Sequence, residues 1–222
     1  MKYIALKNQI ARRIILFACT TALAVGLMIS LPQLAQAQNV TPPTVPDNKL
    51  QVEEGNVAFL LGHGVGTQNY ICKQSGTGVK FVLFTPQATL FKDNDDRQII
   101  THFFSPNPSE PNVDATVVAN GTIRVTWQAR DSSIVWAKVH QPDGTLTVDK
   151  DAVAWLLLDA VNTQDGPTGG KTLSDVTFIQ RVNTTGGLPP ATGCTSLSDL
   201  GNQAFVAYTA DYVFYKKQHG NN

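Results

Sequence analysis

Between residues 115 and 148 the chain repeats one arrangement: a short β-prone run, then residues suited only to a turn. Residues 115–119 lead into Asn120-Gly121, and residues 122–129 follow. Asn-Gly between two such runs is the strongest short-range hairpin signal, because both residues tolerate the positive φ of a tight turn. In the second run Ile123, Val125 and Trp127 alternate with Arg124, Thr126 and Gln128. Period two puts the first set on one face and the second on the other, the pattern of a half-buried strand. Asp131-Ser132 then turns the chain into residues 134–139, and Pro142-Asp143-Gly144 turns it into residues 146–148.

Further strands are expected at residues 56–61, 70–73, 79–84, 98–104, 176–182 and 205–215. In the last, Val206, Tyr208, Ala210, Tyr212 and Phe214 share a face, with Thr209 and Asp211 on the other. Residues 152–161 form a nearly continuous apolar run containing Trp155. Periodicity does not separate a short helix from a buried strand there, and the β neighbourhood favours strand. About ten short strands with turns every 8–12 residues imply an all-β fold. The expectation is a single-domain antiparallel β-sandwich or barrel over residues 50–216, with at most one short helix. No helix–strand alternation is present, so a doubly wound α/β fold is disfavoured.

The two ends read differently. Lys2, Lys7, Arg12 and Arg13 precede an apolar stretch, Pro32 and the small-residue site Ala35-Gln36-Ala37. This is the layout of a secretory signal peptide over residues 1–37. It implies an exported chain, periplasmic or extracellular, with no membrane span after cleavage. Residues 38–49, with Pro42, Pro43 and Pro46, read as a flexible linker, and residues 217–222 as a loose tail. Cleavage removes Cys19 and leaves Cys72 and Cys194. Two cysteines in an oxidising compartment are expected to form a disulfide. The 17 basic and 17 acidic residues balance, which speaks against a nucleic-acid binder steered by bulk positive charge.

Several short motifs resemble chemical sites without their context. Gly62-His63-Gly64-Val65-Gly66 mimics a nucleotide loop, but a β-prone run follows it where a helix is required, so it reads as an inter-strand loop. Gly169-Gly170-Lys171-Thr172 lacks the first glycine of a P-loop and reads as a surface loop. Asp93-Asn94-Asp95-Asp96 offers oxygen ligands, but the positions that would hold the glycine and glutamate of a calcium loop carry Gln98 and Phe104. No histidine pair has zinc spacing, so no metal and no cofactor is expected. Tyr70, Trp127 and Tyr212 are candidate ligand-binding residues, since aromatic faces on a rigid sheet stack on sugars; core packing is the competing role. His102 is a candidate acid–base or ligand residue. Arg181 and Asp211 lie inside apolar strands, where a buried charge needs a partner, and are candidates for a mutual ion pair.

The residues also resemble a known family. Gln68-Asn69-Tyr70-Ile71-Cys72, Pro86-Gln87-Ala88-Thr89-Leu90, His102 followed by Pro106, Trp127 with Asp131-Ser132, and Trp155-Leu156-Leu157-Leu158 each match one of its steps. The most specific match is Ile179-Gln180-Arg181-Val182-Asn183-Thr184 with Gly186-Gly187, Pro190 and Cys194. Tyr208-Thr209-Ala210-Asp211-Tyr212 with Phe214-Tyr215 closes the pattern. Over roughly residues 50–216 the chain resembles the secreted family catalogued as domain of unknown function 3455. Gln87 stands where the family carries glutamate, and an insertion around residues 105–122 lengthens the spacing from His102 to Trp127. The resemblance implies export, a disulfide and one domain. It implies no activity, and the malate-dehydrogenase label on some fungal members finds no nucleotide-binding unit here.

The functional expectation is therefore a non-catalytic binding module at the cell surface or outside the cell, with polysaccharide or cell-surface components as partners. A hydrolase or lyase built on His102, Arg181 and Asp211 is the first alternative. A structural or protein-interaction module is the second.

Overall fold

The computed structural model describes residues 40–92, 96–110 and 121–218. Nine strands carry the architecture: β1 (Asn56–Ser75), β2 (Gly78–Phe91), β3 (Gln98–Asn107), β4 (Thr122–Ala129), β5 (Ile134–Val139), β6 (Thr145–Leu146), β7 (Trp155–Gln164), β8 (Val176–Gly186) and β9 (Gln203–Lys217). Neighbours pair in the order β5-β4-β3-β2-β1-β9-β8-β7, and β5 also pairs with β7. The sheet therefore closes on itself as an eight-stranded antiparallel up-and-down barrel, with β6 as an extra short strand beside β7. Closure gives each of the eight barrel strands two neighbours, which removes the open edges that template aggregation. The only helical pieces among the described residues are single 3-10 turns at Asn48–Leu50 and Leu197–Asp199.

The strand expected over 152–161 exists, shifted to Trp155–Gln164. Residues 122–129 form β4 as expected, but its partner is β3, with Asn107 opposite Thr122. Residues 115–119 and Asn120 lie outside the described residues, as do Asp93, Asn94, Asp95, residues 1–39 and residues 219–222.

The glycine-rich run 62–66 is not a loop. It lies in the middle of β1, with Gly62, Gly64 and Gly66 alternating on the interior face. A Cβ on Gly66 would sit 2.0 Å from the Gln87 carbonyl oxygen, and one on Gly64 would sit 2.8 Å from the Tyr212 ring. These glycines are steric requirements of a narrow barrel rather than turn signals: small residues on β1 make room for large ones opposite.

The core inside the barrel includes Leu90, Ile100, Trp127, Val135, Leu173, Ile179, Tyr212 and Phe214. A second cluster lies on the outer face, where Leu157, Phe178, Val213 and Tyr215 point away from the interior. Val40, Val45, Leu50 and Val52 cover it. Gln180 Nε2 donates to the Leu50 carbonyl at 2.6 Å, and the Tyr215 hydroxyl donates to Gln180 Oε1. The stretch expected as a linker is thus, from residue 40 onward, a packed arm. The reason is legible in β9, where Tyr212 to Tyr215 are all buried and the outward apolar residues need a cover.

Cys72 near the end of β1 and Cys194 in the β8–β9 connection form the expected disulfide, with Cα atoms 5.4 Å apart. Cys72 and the returning chain also exchange backbone hydrogen bonds, Cys72 N to Asn202 O and Gly201 N to Cys72 O. The connection is thereby fastened to the barrel at the end where β1, β3, β5 and β8 finish.

Candidate functional site

The barrel is packed only part of the way along its axis. Toward the disulfide end a cavity of about 270 Å³ opens. Its walls are apolar: Leu83, Phe104, Ile123, Val125, Val139 and Leu156. Three polar side chains, Gln68, His102 and Arg181, face it from β1, β3 and β8. Arg124 and Lys138 are the other charged lining residues, and no carboxylate lines it among the described residues.

His102 is only 2% exposed. The period-two phase of β3 aims it inward, and register places it opposite Ala88 on β2 and Trp127 on β4. Its ring stacks on the Trp127 indole, with centroids 4.3 Å apart and planes 14° from parallel, and lies 5.1 Å from the Tyr212 ring. Nδ1 lies 2.9 Å from the Thr126 carbonyl oxygen. A carbonyl only accepts, so Nδ1 carries the proton and Nε2 is left as an acceptor. Burial pushes the imidazole pKa down to about 3, with the nearby Arg181 charge adding to that and the Thr126 bond opposing it. The ring is neutral at physiological pH.

Arg181 faces inward from β8, opposite Leu156 on β7 and Tyr212 on β9. Its Nε and Nη2 donate to the Ala154 carbonyl at 3.1 and 2.7 Å. That bond orients the guanidinium without neutralising it, and no carboxylate pairs with Arg181 among the described residues. The hydroxyls of Tyr208 and Tyr212 lie 3.0 Å apart beside it. Burial raises the pKa of both phenols above the ordinary value, so both stay protonated.

Gln68, 2% exposed, completes the polar floor, and its Nε2 has no hydrogen-bond partner. Trp127 Nε1 is likewise buried and unpartnered. Buried donors are almost always satisfied in folded proteins, so two orphans in one barrel mark the interior as unusual.

The structure brings together most of the residues singled out in the sequence, and separates one. Trp127, Tyr212 and Tyr70 are 0%, 1% and 7% exposed. They do not form a stacking platform for sugars, because the inward phase of their strands puts all three inside the barrel. Tyr70 donates its hydroxyl to the Gly187 carbonyl at 2.6 Å. That bond fastens the start of the β8–β9 connection. His102 and Arg181 share the cavity, but Asp211 is not with them. Arg181 aligns with Tyr212, and Asp211 aligns with its neighbour Val182. Successive side chains point to opposite faces, so Asp211 is on the outside. There its carboxylate takes His63 Nδ1 at 2.7 Å and Asn183 Nδ2 at 2.8 Å. The Arg181–Asp211 pair does not form.

Gln68 and the apolar wall were not foreseen as site residues. The signal for Gln68 was its phase: it alternates with Gly66 and Tyr70, which puts an amide on an otherwise non-polar interior stripe. The loop at 169–172 is structural. Thr172 N and Oγ1 both donate to Asp131 Oδ2, at 2.9 and 2.8 Å, and Ser133 holds Oδ1. Among the described residues no group of three or more His, Cys, Asp or Glu is arranged to hold a metal.

Residues 53–216 match the model of a family described as protein of unknown function, DUF3455. The chain belongs to that family. No curated protein and no solved structure matches it. The barrel except for the last residue of β9, the disulfide and the inward-facing His102, Trp127, Arg181 and Tyr212 lie within the matched span. His102 on β3 lies directly opposite Trp127 on β4.

Proposed function

We propose that this member of the DUF3455 family is an exported, non-catalytic binding protein that holds a small, largely apolar molecule inside its barrel. The observation that carries the reading is the composition of the cavity. Apolar walls with a few convergent polar groups are the usual make-up of a small-molecule site, and here one of those groups, the Gln68 amide, is buried with an unused donor. An eight-stranded barrel is wide enough to be filled by side chains or to hold one small ligand. At about 270 Å³ the space is well above the ~150 Å³ that admits benzene in an engineered cavity.

A compact ligand is favoured over a polysaccharide, because Tyr70, Trp127 and Tyr212 present no exposed ring faces. Binding is favoured over hydrolysis on two grounds. A base of pKa about 3 is poorly matched to proton transfer near neutrality. Asp211, the carboxylate such a site would use, faces away from His102. Export is supported by the leader-like sequence at the N-terminus and agrees with the disulfide.

A thermal-shift screen of the oxidised protein tests the reading. The panel holds soluble glycans, medium-chain fatty acids and alcohols, and small aromatic acids. A ligand at a hundredfold excess over its Kd stabilises by about 2.7 kcal/mol. A shift with one class of small apolar molecule is expected. A shift confined to glycans, or turnover of a glycan without any shift from the small molecules, would overturn it.

A further inference from the structure

The cavity has a chemical asymmetry that goes beyond its being apolar. Among the described residues every charged group lining it is positive: Arg181 in its polar floor, and Arg124 and Lys138. Arg124 is neutralised by Glu110, whose Oε1 and Oε2 take Nη2 and Nε at 2.6 and 2.8 Å. Arg181 has no such partner. The acceptors around it are neutral, the Ala154 carbonyl and the Tyr212 hydroxyl. A guanidinium carries five donors, and these contacts leave donors over. Gln68 adds a buried amide donor, its Nε2, to the same lining. The floor thus offers an excess of hydrogen-bond donors around an uncompensated positive charge, under low-polarity walls where such a charge interacts strongly.

We infer that the ligand is an apolar monocarboxylate, its carboxylate seated on Arg181 and Gln68 and its hydrocarbon body along Leu83, Phe104, Val125 and Leu156. This rests on the proposed interior binding and adds the ligand class and orientation. A carboxylate supplies what the floor lacks: a negative charge and two oxygens whose planar geometry suits a guanidinium fork. A neutral alcohol would satisfy one donor and leave the charge unmet. An amine would bring a second positive charge into a site without an anion. Neutral His102 adds no repulsion to a cation and no attraction to an anion, so the selectivity falls to Arg181 and Gln68.

The test is an isosteric series, octanoate, octanol and octylamine, titrated calorimetrically into the wild-type protein at pH 7. Octanoate is expected to bind tightest, ahead of octanol by about ten- to a hundredfold, the range set by a hydrogen-bonded charge. Octylamine is expected to bind weakest. Arg181→Gln is expected to bring octanoate down to the affinity of octanol. Arg181 also holds the Ala154 carbonyl, so Gln68→Met, which removes the Nε2 donor while keeping the side chain's length, serves as a second variant. It is expected to weaken octanoate several-fold while leaving octanol unchanged. Equal affinities for octanoate and octanol, or tighter binding of octylamine, would overturn this inference and leave interior binding standing. If all three compounds fail to bind along with the rest of the screening panel, the interior-binding reading falls as well.

Discussion

The imidazole of His102 lies flat on the indole of Trp127, 4.3 Å between centroids. The two are direct cross-strand neighbours on β3 and β4. The pair marks where the barrel changes character. Trp127 belongs to the packed core, and His102 faces the cavity. The stack and the Thr126 carbonyl fix the imidazole in one orientation and one tautomer.

That burial makes His102 an acid-sensitive element of the fold. At pH 7 folded and unfolded chains both hold the ring neutral. Below its ordinary value of 6.5 the unfolded chain takes up a proton that the native ring refuses until about pH 3. The unfolded state then binds more protons, so stability falls as pH falls, by up to about 1.4 kcal/mol per pH unit. Glu110 and Asp131, both held below the usual carboxylate range in the native state, add their own losses only below the ordinary values of 4.5 and 3.8. Urea midpoints taken between pH 6.5 and 4.5 are therefore expected to fall for the wild type more steeply than for His102→Phe, which keeps an aromatic ring on Trp127. Parallel slopes would contradict the burial assigned to His102.

The disulfide closes a span of 122 positions. The chain-entropy model gives about 5 kcal/mol for such a loop, as an upper figure. Cys72→Ser with Cys194→Ser is expected to lose several kcal/mol of that in denaturant unfolding, and reduction of the wild type should reproduce the loss. Ligand affinity should fall by less than the stability does, because the cavity walls are strands held by their own ladders.

Leu50 is fully buried beneath the outer face of the barrel. Leu50→Ala is expected to lower stability by about 2–4 kcal/mol, as for other large-to-small core changes. No measurable change would contradict the burial of Leu50 against the barrel. Calorimetric or urea unfolding of the single variant decides it.

The all-β class, the strands with clear alternation and the cysteine pair were legible from residue pattern and count. Ile123, Val125 and Trp127 announce their shared face without any structure. Barrel closure was not legible, because the β1–β9 pairing joins positions such as His63 and Asp211 across most of the chain, and no local signal reports it. The run from Gly62 to Gly66 misled for a physical reason. Glycine marks turns when its conformational freedom is used, and here its missing Cβ is used instead. The candidate site was half legible. Residue type picked out His102, Arg181, Trp127 and Tyr212, and strand phase brings them together inside. The same phase argument separates Arg181 from Asp211 when carried across β8 and β9, and adds Gln68 when carried along β1.

The most direct test of the account is calorimetric titration of octanoate into the wild type and into Ala137→Leu. Ala137 is a buried residue lining the cavity, so the added carbons fill the proposed ligand space without removing a core contact. The account predicts saturable one-to-one binding by the wild type, at least a tenfold loss in the variant on steric grounds, and an unfolding midpoint for the variant that is unchanged or raised. Equal octanoate affinity in the two proteins would show that the barrel interior is not where this protein binds.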